Sequence, residues 1–210
     1  KEFLDVARHI YRDDDTWVCP MDHEINSIFT PGLNPFFAHG EASRWILKDA
    51  ENELTGRIAA FINHKANESS GLAVGGIGFF ECINDAKAAK LLFDTAKSWL
   101  EARGMEAMDG PINFGETDKY WGLLVEGFTH PSYEIAYNPP YYQALFESYG
   151  FQTYYRQEGF HLNLKEPLPP RFQRIAEWVA QKPGYEFRHF QWKEMEKFVH
   201  DFVLVFNEAW

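Results

Sequence analysis

At 210 residues the chain is long enough to bury a sizeable core without disulfide or metal support. Its formal charge of -11 argues against nucleic acid and anionic lipid surfaces as partners, and no Lys/Arg run offers a local exception. The two cysteines, Cys19 and Cys82, lack Cys-x-x-Cys spacing, so neither a disulfide framework nor a zinc knuckle is indicated and a reducing cytoplasm is the expected location. Aromatic residues reach 17%, a supply suited to strands, cores and ring-lined pockets.

In chain order, Phe3, Val6, Ala7 and Ile10 fall at helical spacing, so the sequence opens inside an amphipathic helix and a segment upstream is expected. The opening Lys-Glu-Phe-Leu-Asp-Val lacks the apolar core and cleavage site of a signal peptide, and no stretch approaches the length of a membrane span. A loop, a short helix from Asp22 to Phe29 and a second loop come next, punctuated by Pro20, Pro31, Gly32 and Pro35. Ser43 to Lys48 and Gly56 to Asn63 read as a hairpin of two strands. A polar loop from Lys65 to Gly71 leads to a third strand, Val74 to Ile83, whose Gly75, Gly76 and Gly78 signal a bulge or a close approach by another group.

The clearest helix runs from Asp85 to Arg103, with Ala88, Ala89, Leu92, Ala96, Trp99 and Leu100 as its apolar stripe, Asn84 or Asp85 as its cap and Gly104 at its end. Met105 to Met108 reads as a short buried strand. From Gly110 to Asn138 the pattern dissolves into a polar, aromatic loop long enough to point to function. Pro139 and Pro140 suit the first turn of a helix ending at Tyr149, with Gly150 in the left-handed position after it. Phe151 to Tyr155 and Gly159 to Leu164 are expected to form a last strand pair. After the Pro-rich joint 166–170 come a helix through Phe172 and Val179, a strand from Tyr185 to Phe190, and an apolar helix through Met195, Phe202 and Ala209. That last stripe needs a partner, so the chain is expected to continue or to dock this helix on the first domain.

This order of elements, with Gly56-Arg-Ile-Ala-Ala-Phe-Ile, the glycine-rich Phe-Phe-Glu strand, Trp99-Leu-x-x-x-Gly, Gly110-Pro-x-Asn-Phe and Tyr141-Tyr-x-x-Leu-x-x-x-Gly-Phe151, resembles the GNAT superfamily of acyl-coenzyme A-dependent N-acyltransferases. Within it, the chain is similar to bacterial GNAT-like proteins with two acyltransferase-type halves in tandem. The resemblance implies an α/β (α+β) fold with a mixed, mostly antiparallel central sheet flanked by helices. It implies a first half over residues 1–165, lacking its first strand, and the opening of a second half over 171–210. It also implies transfer of an acyl group from acetyl-coenzyme A or another acyl-coenzyme A to the amine of a small molecule, with no tightly bound cofactor, and a homodimer or a docked second half as partner.

The sequence departs from that family at two places. The loop that holds the cosubstrate's pyrophosphate in working members is here Glu81-Cys-Ile-Asn-Asp-Ala-Lys, without glycine and with Glu81 and Asp85 where phosphate would sit. The position of the family's tyrosine acid is Phe146, with Tyr142 one turn earlier. The cosubstrate site therefore maps to Ile83, Asn84, Ala86 and Lys87, beside the simpler reading of Asp85 as a helix cap.

The long loop concentrates Asn113, Tyr120, Trp121, Glu126, Tyr137, Asn138 and Tyr141 as candidate substrate contacts, against the alternative that its rings only pack on the sheet. Glu116, Asp118 or Glu126 is a candidate general base if burial raises its pKa, with Tyr142 returning a proton to the leaving thiolate. Of the histidines only His39, close to Glu41, is notably placed, and no metal-ligand spacing is present. Arg57 reads as a salt-bridged surface residue. The competing functional reading is a GNAT-like domain without catalysis that binds a ligand or a partner.

Overall fold

The computed structural model describes residues 1–68 and 71–209. They fall into two compact units, Lys1–Gln157 and Glu158–Trp210.

The first unit is a four-stranded sheet, β1 (Gly40–Lys48), β2 (Leu54–Asn63), β3 (Val74–Cys82) and β4 (Ala107–Asp109), in the order β1-β2-β3-β4. The first three strands are antiparallel, and β4 joins β3 in parallel over three residue pairs only, Val74 to Gly76 with Ala107 to Asp109. This is the mixed, mostly antiparallel sheet flanked by helices that the sequence led us to expect. Inside the expected polar loop the structure has a short helix α3 (His64–Glu68); Ser69 and Ser70 of that loop lie outside the described residues.

Helices cover both faces of the sheet. On one side α4 (Ala86–Glu101) and α5 (Tyr142–Tyr149) pack Ala89, Leu92, Phe93, Ala96, Leu100, Leu145 and Phe146 against Ile58, Ala60, Ile62, Ile77 and Phe80. Phe93, absent from the expected stripe, is fully buried there because a ring one position past Leu92 still faces the sheet. On the other side α1 (Glu2–Ile10) and α2 (Asp22–Ile28) supply Phe3, Leu4 and Ile25 to a smaller cluster with Ala59 and Phe79.

Between Arg57 and Ala59 on β2 the partner residue steps from Glu81 to Gly78, so β3 carries one extra residue, and Phe79 takes a left-handed φ of 52°. A bulge at this point reverses the inside-outside alternation for everything beyond it. Phe80 and Cys82 consequently face α4, while Phe79 and Glu81 face α1.

Three expectations need correction. Phe151 to Tyr155 and Gly159 to Leu164 form no strands; Tyr154 and Phe160 are about nine-tenths exposed, and an isolated strand pair with no third strand or helix against it is marginal in water. Tyr185 to Phe190 is likewise irregular, for the same lack of a ladder partner among the described residues. Arg57 is ion-paired, as expected, but buried at 6% exposure rather than on the surface, because its strand is central and covered by α1.

The second unit holds α6 (Pro170–Ala180), a 3-10 turn at Trp192–Glu194 and α7 (Met195–Ala209), with no residue of 158–209 fully buried. Trp210, which closed the expected second half, lies outside the described residues. Among the described residues no helix is long and apolar enough to cross a membrane.

Candidate functional site

Because β4 stops after three residues, β3 has no strand neighbour on that side beyond Gly76 among the described residues, and a cleft of about 100 Å³ opens along that free edge. Apolar groups from four segments wall it: Trp17 and Val18 before α2, Phe79 and Phe80 at the bulge, Leu123 and Ile135 from the long loop, and Phe146 from α5.

Four polar side chains also line it, Arg57, Glu81, Asn138 and Tyr142, together with the phenols Tyr120 and Tyr137. Glu81 is the centre. One carboxylate oxygen accepts from Arg57 Nη2 at 3.2 Å and the other from the Tyr142 hydroxyl at 2.8 Å. The Tyr11 hydroxyl, just past the end of α1, donates to the Tyr137 carbonyl at 3.3 Å and stands near enough to Glu81 to favour its charged form. Burial raises the Glu81 pKa above the ordinary carboxylate value, against the pull of Arg57 and the two phenols that favour its ionised form. Burial, with the neighbouring Glu81 charge, raises Tyr142 well above the ordinary phenol value, so its proton stays in place. A buried carboxyl shifted toward neutrality in a cleft is a functional candidate on physical grounds.

The tyrosine pair also completes the strand edge. Tyr142 OH accepts the Cys82 N–H at 2.8 Å and Tyr141 OH donates to the Cys82 carbonyl at 2.8 Å, filling backbone positions that a fifth strand would otherwise satisfy. Burial pushes the Tyr141 phenol to about 12 and the Cys82 thiol to about 12, so Cys82 is a packed thiol and no nucleophile.

The residues expected from the sequence separate into those the cleft uses and those it does not. Tyr120, Tyr137, Asn138 and Tyr142 line it. Asn138 is chiefly a pin: its side chain holds both the N–H and the carbonyl of Leu124, at 2.7 and 3.1 Å, which fixes the loop's return. Tyr137 ties the loop to the N-terminal segment through Asp14 at 2.8 Å. Tyr141 touches the strand edge, Trp121 donates to the Tyr155 hydroxyl at 3.0 Å, and Asn113 is buried away from the cleft with its Oδ1 unpaired. Glu116, Asp118 and Glu126 are exposed on the loop and do not line the cleft, so the burial a general base there would need is missing.

At the proposed cosubstrate site, Ile83 packs against the core while Asn84, Ala86 and Lys87 are exposed. The amides of Lys87 and Ala88 are already taken by the Asp85 carboxylate at 2.6 and 3.1 Å, the ordinary N-cap arrangement, and these bonds lower the Asp85 pKa. Phe146 is core, edge-on to Phe80 and Phe93. His39 bonds Asn63 and Glu41 pairs with Arg103; among the described residues no three His, Cys, Asp or Glu side chains converge as a metal site.

Sequence reasoning missed Glu81 as a site residue. Straight alternation along β3 puts it on the α4 face beside Asp85; only the bulge carries it to Arg57. The usable signal was Arg57 itself, a cation in an otherwise apolar strand that had to find a buried partner.

No family model matches the chain. It is 31% identical over 152 residues to Protein YghO of Escherichia coli (strain K12), an alignment covering 72% of this chain and 38% of that protein. It is 26% identical over 212 aligned positions to the bacterial ceramide synthase of Caulobacter vibrioides (strain NA1000 / CB15N), covering 100% of this chain and 54% of that protein. The chain thus spans about half or less of the length of these curated relatives. A solved structure named "Putative acetyl transferase from Pyrococcus furiosus" superposes on 77% of this chain and 92% of its own at a TM-score of 0.42 and 12% identity, which adds nothing to what the strand order already says.

Proposed function

We propose that this chain is the catalytic part of an acyltransferase that moves an acyl group from a thioester, such as an acyl-coenzyme A, to the amine of an amphiphilic small molecule. The observation that carries the reading is the buried Glu81 carboxyl at the floor of an apolar, ring-walled cleft. The likeness along the whole chain to a protein named as a ceramide synthase supports the same chemistry, since a ceramide is a long-chain amino alcohol acylated on nitrogen. The reading of residues 171–210 as the opening of a second acyltransferase-type half belongs to this proposal.

In the proposed reaction Glu81 takes one proton from the substrate ammonium. The freed lone pair attacks the thioester carbonyl carbon, the C–S bond breaks, and a second nitrogen-bound proton goes to the departing thiolate. The products are an amide and a thiol, and Glu81 returns its proton to solvent. General-base help of this kind contributes typically about 10²–10⁴-fold.

The test is transfer from an acyl-coenzyme A to a long-chain amino alcohol, followed by mass spectrometry, in the wild type and Glu81→Gln. A loss of about 10²-fold or more is expected in the variant. The base acts only when ionised, so activity should climb with pH through a limb lying above the ordinary carboxylate range. An unchanged rate in Glu81→Gln overturns the assignment.

A second reading has its own support in Asp85, which fills the amides of the α4 N-terminus, and in the buried Phe146: a domain that binds an amphiphile without transferring the acyl group. Acyl-coenzyme A at a hundred times its Kd should raise stability by about 2.7 kcal/mol if it binds the native state. Binding of the amine with no such shift and no product favours the second reading.

A further inference from the structure

Glu81 does not hold its place alone. Directly across the sheet from it, Arg57 spans two elements: Nη1 donates to the Phe3 carbonyl of α1 at 2.8 Å, Nη2 donates to Glu81 at 3.2 Å, and the guanidinium carbon lies 4.8 Å from the centre of the Phe3 ring. Its Nε is buried without a partner, which is costly for a guanidinium and is tolerated here to keep the other two nitrogens on their acceptors. The start of α1 is thus tied to the carboxylate, Phe3 through Arg57, while Tyr11 just past its other end donates its hydroxyl to the Tyr137 carbonyl at 3.3 Å.

We propose that Arg57 is a positioning residue, bridged between α1 and β3 so that the Glu81 carboxylate is held at the cleft floor ready to accept a proton. The proposal rests on the reading of Glu81 as the base. The titratable and charged groups near Glu81 are Arg57 from β2, Tyr11 just past α1, and Tyr142 with the preceding Tyr141 at the start of α5; the Cys82 thiol next in its own strand points to the opposite face. Arg57 is the one cation among them, so its charge opposes the effect of burial. Removing that charge must raise the carboxyl's proton affinity, and the pH at which the base becomes available must rise with it.

The measurement that isolates this role is direct titration of the Glu81 carboxyl by NMR with ¹³C-labelled glutamate, its signal assigned by its loss in Glu81→Gln, in the wild type, Arg57→Gln and Arg57→Lys. In Arg57→Gln the midpoint should rise by about one pH unit or more, a tenfold or greater gain in proton affinity. In Arg57→Lys, which keeps the charge but cannot bridge Phe3 and Glu81 with a planar fork, the midpoint should return toward the wild-type value. Where transfer is measurable, the acid limb of kcat/KM should move with the midpoint, whereas a merely structural role lowers the rate without moving the limb.

A Glu81 midpoint unchanged in a folded Arg57→Gln overturns the proposal. Should that variant fail to fold, Arg57→Lys decides: a folded Arg57→Lys whose midpoint stands about one pH unit or more above the wild type overturns it too. Because the titration needs no turnover, a wild type without transfer activity would defeat the proposed function while leaving the role of Arg57 measurable.

Discussion

Tyr142 and Tyr141 are neighbours in sequence with different work. The Tyr142 hydroxyl satisfies the Cys82 N–H and donates to Glu81, whereas Tyr141 donates only to the Cys82 carbonyl. Tyr142→Phe keeps the ring in the core and leaves a buried N–H unpaired, which should cost about 1–3 kcal/mol of stability. It also removes a donor that favours ionised Glu81, so the Glu81 midpoint should move further up. Tyr141→Phe removes one partner from a carbonyl and no donor from the carboxylate. It should lower the melting temperature with a much smaller movement of the midpoint. Thermal melts paired with the carboxyl titration separate the two; equal midpoint shifts in both variants would show that the hydrogen bond to Glu81 is not what sets its proton affinity.

At the scale of elements, the bulge in β3 decides the chemistry, because one inserted residue carries Glu81 from the α4 face to the α1 face. Gly78, beside the bulge, lies so close to the start of the long loop that a methyl group added there would stand 1.9 Å from the Ile112 carbonyl oxygen. Gly78→Ala must push strand and loop apart and should destabilise by about 1–3 kcal/mol. Gly71→Ala, where nothing lies within 4 Å, serves as the neutral control in the same melting experiment. The same bulge marks where sequence reading ran out. Hairpin, long helix with its capped start, and the Gly150 end of α5 were legible because each is written in local period or local turn chemistry, whereas Pro139 and Pro140, expected in the first turn of α5, lie before its start at Tyr142. The face of Glu81 was not, since the glycines at 75, 76 and 78 announce an irregularity without saying at which residue the alternation slips; the slip falls on Phe79. The absent strands after Gly150 failed for a related reason. Their aromatic alternation is real, but a strand exists only where a ladder receives it.

At the scale of the whole molecule, the two units differ in what holds them. Among the described residues every buried apolar one, from Phe3 to Phe146, belongs to Lys1–Gln157, and the cleft with its Glu81 cluster is built wholly from that unit. Glu158–Trp210 supplies helices whose apolar side chains, Phe172, Ile175, Phe202 and Phe206 among them, remain about half exposed or more. Conformational entropy is offset by burial, so residues 1–157 carry the stability and 158–209 contribute little to it. Limited proteolysis should therefore cut first in the irregular stretch between α5 and α6, where residues 152–169 are exposed, and leave a resistant product ending near Gln157. A chain truncated after Gln157 should melt cooperatively within about 4 °C of the full chain, a shift equivalent to roughly 1 kcal/mol for a domain of this size, and should keep the raised Glu81 midpoint. A truncated chain that loses its cooperative melt would mean that the second unit holds the first together, and the division of stability argued from burial would be wrong.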